Sequence, residues 1–132
     1  MTTRLQPEIL MRKADLALST ARLALNAGDT DSACNRAYYA MFDAAHAALF
    51  ALGVEKFDAP FKTHRGLIGM FGLHLVQGRH LAAEHGEALN AVQRLRQIAD
   101  YSGDVVSLED ATRAVERAEA FAAAIKAKFF VD

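Results

Sequence analysis

The stretch from Asn35 to Phe50, Asn-Arg-Ala-Tyr-Tyr-Ala-Met-Phe-Asp-Ala-Ala-His-Ala-Ala-Leu-Phe, constrains this chain more than any other. It reads as a long helix that is apolar nearly all round. From Ala37 to Leu52 the strongly polar groups are Asp43 and His46, apart from the hydroxyls of Tyr38 and Tyr39. A helix without a wide polar face must be wrapped by other helices. At helical spacing, Tyr38, Phe42, Ala45, Leu49 and Leu52 form a packing stripe, while Arg36, Tyr39, Asp43, His46 and Phe50 form a second line. Buried polar groups need partners, so the fold is expected to supply them for this second line.

The chain has 132 residues, the size of one domain, and is read as a single domain over 1–132. Hydrophobic residues make up 52%, which supports a packed core and argues against disorder. The net charge of −1 gives no global electrostatic case for nucleic-acid binding, and leaves only local basic patches. The single cysteine, Cys34, permits no internal disulfide and reads as buried filler in a reducing compartment. No N-terminal apolar run resembles a signal peptide. The longest apolar window, 37–54, contains Asp43 and His46 and makes a poor membrane span. A cytoplasmic protein is expected, without membrane contact.

Along the chain, Pro7 suits a first helical turn, and Leu10, Ala14, Ala17, Leu18, Ala21, Ala24 and Leu25 repeat at helical spacing up to Gly28. Asp29 to Ser32 offer N-caps for the central helix, which Gly53 stops. Residues 54–61 read as a loop, and Thr63 caps a third helix over about 64–76. Gly66, Gly69 and Gly72 in that helix are expected to serve close approach of a neighbouring helix. A fourth helix runs from about 81–84 to Tyr101, and a fifth begins after Ser107 and carries Leu108, Ala111, Val115, Ala118, Ala122, Ile125 and Phe129 in one stripe. No strand pattern competes. The expected architecture is all-α, a compact up-and-down bundle of four to five helices.

The residues name no reaction by themselves. The five histidines make no H-x-x-x-H, and Asp43-x-x-His46 is one half-motif where a metal needs at least three convergent ligands, so neither a metal nor another cofactor is expected. Cys34 and His46 lie about 18 Å apart along one helix and cannot form a dyad. Lys62-Thr63-His64-Arg65, at a helix start, suits an anion. Arg96 and Asp100 are spaced to pair, and Arg94 and Tyr101 flank them. If this segment faces the central helix, Arg36, Asp43, Arg96 and Asp100 are expected to form a buried network of two cations and two anions.

Asn-Arg-Ala-Tyr-Tyr-Ala-Met-Phe at 35–42, Lys-Thr-His at 62–64, Phe-Gly at 71–72 and Arg-Gln-Ile-Ala-Asp-Tyr at 96–101 occur in this order. As an ordered set they resemble the small stand-alone branch of the HEPN superfamily, the higher eukaryotes and prokaryotes nucleotide-binding domain. The resemblance implies a helical bundle, commonly a homodimer, that is often paired with a minimal nucleotidyltransferase in a toxin–antitoxin system. It also implies either metal-independent RNase activity or an inactive module that binds RNA or protein.

RNase activity in that family rests on an Arg-x(4–6)-His motif, and here the sequence departs. Counting from Arg96 the window holds Tyr101, Ser102 and Gly103; counting from Arg36 it holds Met41, Phe42 and Asp43. Arg79 and His85 have the spacing but lie away from the matched motifs. Metal-free cleavage needs a group near neutral pKa to move a proton, and histidine is the natural one. The leading expectation is therefore a member of a HEPN–nucleotidyltransferase pair that binds RNA, a nucleotide or its partner through Arg36, Tyr39, Asp43, Lys62, His64 and Arg94. The alternatives are an RNase using Arg96, Asp100 and Tyr101, and a bundle whose work is solely protein interaction.

Overall fold

The computed structural model describes residues 6–54 and 63–130. The helices are α1 (Pro7–Asn26), α2 (Thr30–Leu52), α3 (His64–Phe71), α4 (Ala83–Tyr101) and α5 (Leu108–Phe129), with no strand among the described residues. α2 lies at the centre and packs against all four others. Its alanines Ala33, Ala37, Ala40, Ala44, Ala45, Ala47 and Ala48 are fully buried, and their small side chains allow neighbouring helices to come close. Tyr38, Met41 and Leu49 fill the space between, and Phe71 of α3 meets Phe121 of α5 with ring centroids 5.1 Å apart. Cys34 is fully buried, and burial, then the charges of Asp31 and Asp110, push its thiol up to about 11, which fits inert filler.

The element boundaries follow local chemistry. Asp29 accepts from the Ser32 N–H, Thr63 from Gly66 N–H and Ser107 from Asp110 N–H, each capping a helix start. Gly53 ends α2 in the left-handed region, at φ 84°. Tertiary ties run from both ends of the bundle: the Asp31 carboxylate accepts from Val106 N–H at 2.9 Å, Arg22 pairs with Glu119, and Lys126 lies 2.7 Å from Asp15.

The third helix departs from expectation twice. α3 stops at Phe71, and Gly72–Val76 winds on as a π-helical turn, with Gln77 N–H donating to the Gly72 carbonyl. The glycines do not serve close helix approach. A methyl group at Gly69 or Gly72 would meet no described atom within 4 Å, and one at Gly66 would meet only its own cap, Thr63 Oγ1. Gly69 is exposed within a helix, so Gly69→Ala is expected to raise stability by about 0.5–1 kcal/mol, read as a higher urea midpoint at unchanged slope.

Candidate functional site

The polar centre of the molecule gathers around Tyr38, which the packing-stripe reading treated as plain core. Its ring is fully buried, but its hydroxyl lies 2.7 Å from Nδ1 of His64, at the start of α3. The two rings are stacked with centroids 5.5 Å apart, and Phe42 closes on the imidazole at 4.6 Å. Arg96 of α4 brings its guanidinium to 4.8 Å from the Tyr38 ring centre and 5.9 Å from that of Tyr39, within cation–π range of both. Arg96 is buried, at 8% exposure. Its Nη1 donates to Asp100 at 3.0 Å and its Nε to Gln93 at 3.2 Å. Nη2 has no hydrogen bond to a described residue, although a guanidinium offers five donors in a fixed fork.

Electrostatics decide the protonation of this group. Burial, then the charge of Arg96, hold the His64 imidazole below its ordinary value of 6.5, so it is neutral at pH 7. Burial pushes the Tyr38 phenol up, with Arg96 pulling it partly back, so it keeps its proton. The protonated phenol and the neutral imidazole share one hydrogen bond at Nδ1, with the donor set by the imidazole tautomer: the phenol donates when the ring proton sits on Nε2, and Nδ1–H donates when it does not. A histidine whose folded pKa is lowered supports the fold above its unfolded value and stops doing so as pH falls through the folded one. Stability is thus expected to drop as pH falls below about 6.5. His64→Gln should flatten that slope in denaturant titrations at stepped pH.

The residues singled out in the sequence are only partly brought together. Arg96 and Asp100 pair as expected, whereas Tyr101 is 77% exposed and turns to a different surface cleft with Arg94, Ile98 and Gln97. Arg94 also lines a second cleft, with Glu87 and Ala91 of α4 and Arg117 of α5. His64 joins the aromatic group, and Lys62 lies outside the described residues. The four-charge network does not form. Arg36 is exposed, bonds Asn35 at 3.1 Å and covers Tyr39 at 5.2 Å, and Asp43 makes no hydrogen bond or ion pair with a described residue. The reason is register: Arg96 inserts at the Tyr38–Tyr39 level of α2 and takes Asp100 and Gln93 from its own helix. Burial pushes the Asp43 carboxyl up, and Lys13, His46 and Arg36 pull it partly back. Since no described cation lies at ion-pair distance from Asp43, Asp43→Ala is expected to change unfolding free energy by less than about 0.5 kcal/mol in chemical denaturation.

Sequence reasoning missed Tyr38 and Gln93. The available signal was that a buried tyrosine hydroxyl finds a partner, and the Lys-Thr-His segment held it. Among the described residues no group of three or more His, Cys, Asp or Glu side chains gathers as a metal site, and no helix is long and apolar enough to cross a membrane.

Comparison with known proteins gives the family. The model of the HEPN domain matches residues 7–128, from the first residue of α1 almost to the last of α5. The chain belongs to the HEPN family. Relatives of this HEPN chain include a UPF0332 protein of Gloeobacter violaceus, 37% identical over 71% of each chain. A protein of Methanocaldococcus jannaschii named as a candidate toxin is 32% identical over 90% of this chain and 85% of its own length. A UPF0332 protein of Thermotoga maritima is 31% identical over 90% and 87%. The Tyr38–His64–Arg96 group therefore lies inside the HEPN domain, assembled from three of its helices.

Proposed function

We propose that this HEPN protein is the toxin-like, RNA-directed member of a two-component pair whose other member is a minimal nucleotidyltransferase, and that the Arg96 cluster holds an RNA phosphate. One observation carries the reading: the guanidinium of Arg96 is buried, oriented by Asp100 and Gln93 and backed by two tyrosine rings, yet Nη2 has no hydrogen-bond partner among the described residues. Buried donors are nearly always satisfied, and an oriented but unsatisfied guanidinium suits the paired oxygens of a phosphate. The toxin name of a relative that shares most of its length with this chain supports the toxin-like role.

RNA binding is tested with labelled single-stranded RNA and the full chain. Binding that weakens as salt rises, and is lost in Arg96→Gln with Arg113→Gln as unaffected control, is the expected result. Equal binding by both variants overturns the assignment. The pairing is tested by co-expression with a nucleotidyltransferase encoded beside this chain: growth arrest by the chain alone and relief by the partner are expected.

A second reading, metal-independent cleavage, is favoured by the Tyr38–His64 contact. The histidine absent from the α4 segment comes instead from α3. In that reading His64, in the tautomer that donates its Nδ1–H to Tyr38, takes the ribose 2′-hydroxyl proton on Nε2 as the 2′-oxygen bonds to phosphorus. The bond from phosphorus to the 5′-oxygen breaks, leaving a 2′,3′-cyclic phosphate, the imidazolium returns the proton to the departing 5′-oxygen, and Arg96 stabilises the charge on the phosphate. Product formation in chelator that disappears in His64→Gln is its test.

A further inference from the structure

Tyr39 borders a second feature. A surface cleft of about 320 Å3 lies between α1 and α2, lined by Lys13, Leu16 and Thr20 of α1 and by Arg36, Tyr39 and Asp43 of α2. Its chemistry is unusual for a gap between packed helices. Asp43 is partly buried there without a hydrogen bond or ion pair to a described residue, and the longer-range charges of Lys13, His46 and Arg36 act on its carboxylate. Two cations, Lys13 and Arg36, line the same cleft, and Leu16, 64% exposed, gives it an apolar wall. Tyr39 connects the cleft to the Arg96 cluster: Arg36 lies over its ring at 5.2 Å and Arg96 at 5.9 Å.

These groups complement one nucleotide unit. The cations suit a phosphate, Leu16 and Tyr39 suit the flat faces of a base and sugar, and the carboxylate demands donors from the base edge. Among the four RNA bases, guanine presents two adjacent N–H donors, N1–H and the 2-amino group, that match the two oxygens of a carboxylate. Adenine and cytosine offer an amino group beside an acceptor nitrogen, and uracil one N–H between two carbonyls, so each sets an acceptor against the carboxylate.

We propose that the α1–α2 cleft is a subsite that reads one guanine of the bound RNA through Asp43, with Lys13 and Arg36 on its phosphate. The proposal rests on the RNA reading of the Arg96 cluster and adds base preference to it. Because Asp43 makes no hydrogen bond or ion pair to a described residue, base preference is separable from stability.

The test uses the full chain, titrated with 5′-GMP, 5′-AMP and 5′-UMP, and with uridine-only RNA containing or lacking one guanosine. Wild type is expected to prefer GMP and the guanosine-containing RNA by about 10- to 100-fold. Asp43→Asn, which presents an amide donor to donors, should erase that preference, while Arg113→Gln, outside the cleft, keeps it and circular dichroism shows an intact fold. RNA binding with no base preference, or a preference that survives Asp43→Asn, overturns the subsite and leaves the Arg96 reading standing. Conversely, GMP binding that depends on Asp43, with no binding of RNA, supports the cleft and overturns the Arg96 reading.

Discussion

Arg96→Gln is expected to weaken RNA binding by about 10- to 100-fold, the cost of one hydrogen-bonded charge. It is also expected to destabilise the fold by about 1–3 kcal/mol. The two effects have separate origins. The functional loss follows from the Nη2 edge, which no described residue bonds and glutamine lacks. The stability loss follows from two cation–π contacts, at 4.8 and 5.9 Å, and from the Asp100 and Gln93 bonds. Asp100 retains 31% side-chain exposure, so its carboxylate recovers water when the guanidinium goes, which keeps the penalty below that of a fully buried pair. Arg96→Lys separates the two origins. It keeps a charge but not the planar fork, so RNA affinity should recover in part while the oriented pairing with both Asp100 and Gln93 does not. Fluorescence anisotropy with RNA and urea denaturation of the three proteins read both quantities.

Tyr38→Ala should cost about 3–5 kcal/mol, as expected for deleting a fully buried aromatic ring. The ring touches Tyr39, Phe42, His64 and Arg96, so its loss opens a cavity and removes the surface that holds the guanidinium. Tyr38→Phe is the informative companion. It keeps the packing and the cation–π surface and removes only the hydroxyl bonded to His64, at about 1 kcal/mol. RNA binding through Arg96 should survive Tyr38→Phe, whereas any cleavage activity should change its pH profile, since His64 loses its hydrogen-bond partner at Nδ1. Thermal and urea unfolding of both variants give the stability terms.

Much of the fold was legible because its signals are local. The all-round apolar character of residues 37–52 announced a wrapped central helix, and Gly28, Gly53, Thr63 and Ser107 marked helix ends that the structure keeps. The Arg96–Asp100 pair was legible for the same reason, its partners being one helical turn apart. What was not legible depends on register between helices. Tyr38 and His64 lie 26 positions apart, and nothing local says that the start of α3 closes on α2 at that level. The expected four-charge network failed on the same point: Asp43 sits one turn beyond the level that Arg96 reaches, and opens instead on α1 and Lys13. The glycines of the third helix misled because spacing alone cannot tell a contact surface from an open one.

The most direct test follows the His64 ring signals by NMR while RNA is added to the full chain in chelator, for wild type and Arg96→Gln. The Tyr38–His64–Arg96 assignment predicts saturable shifts of the His64 resonances at the same midpoint as RNA binding, and their loss in Arg96→Gln. RNA binding of undiminished affinity with the His64 resonances unmoved would contradict it.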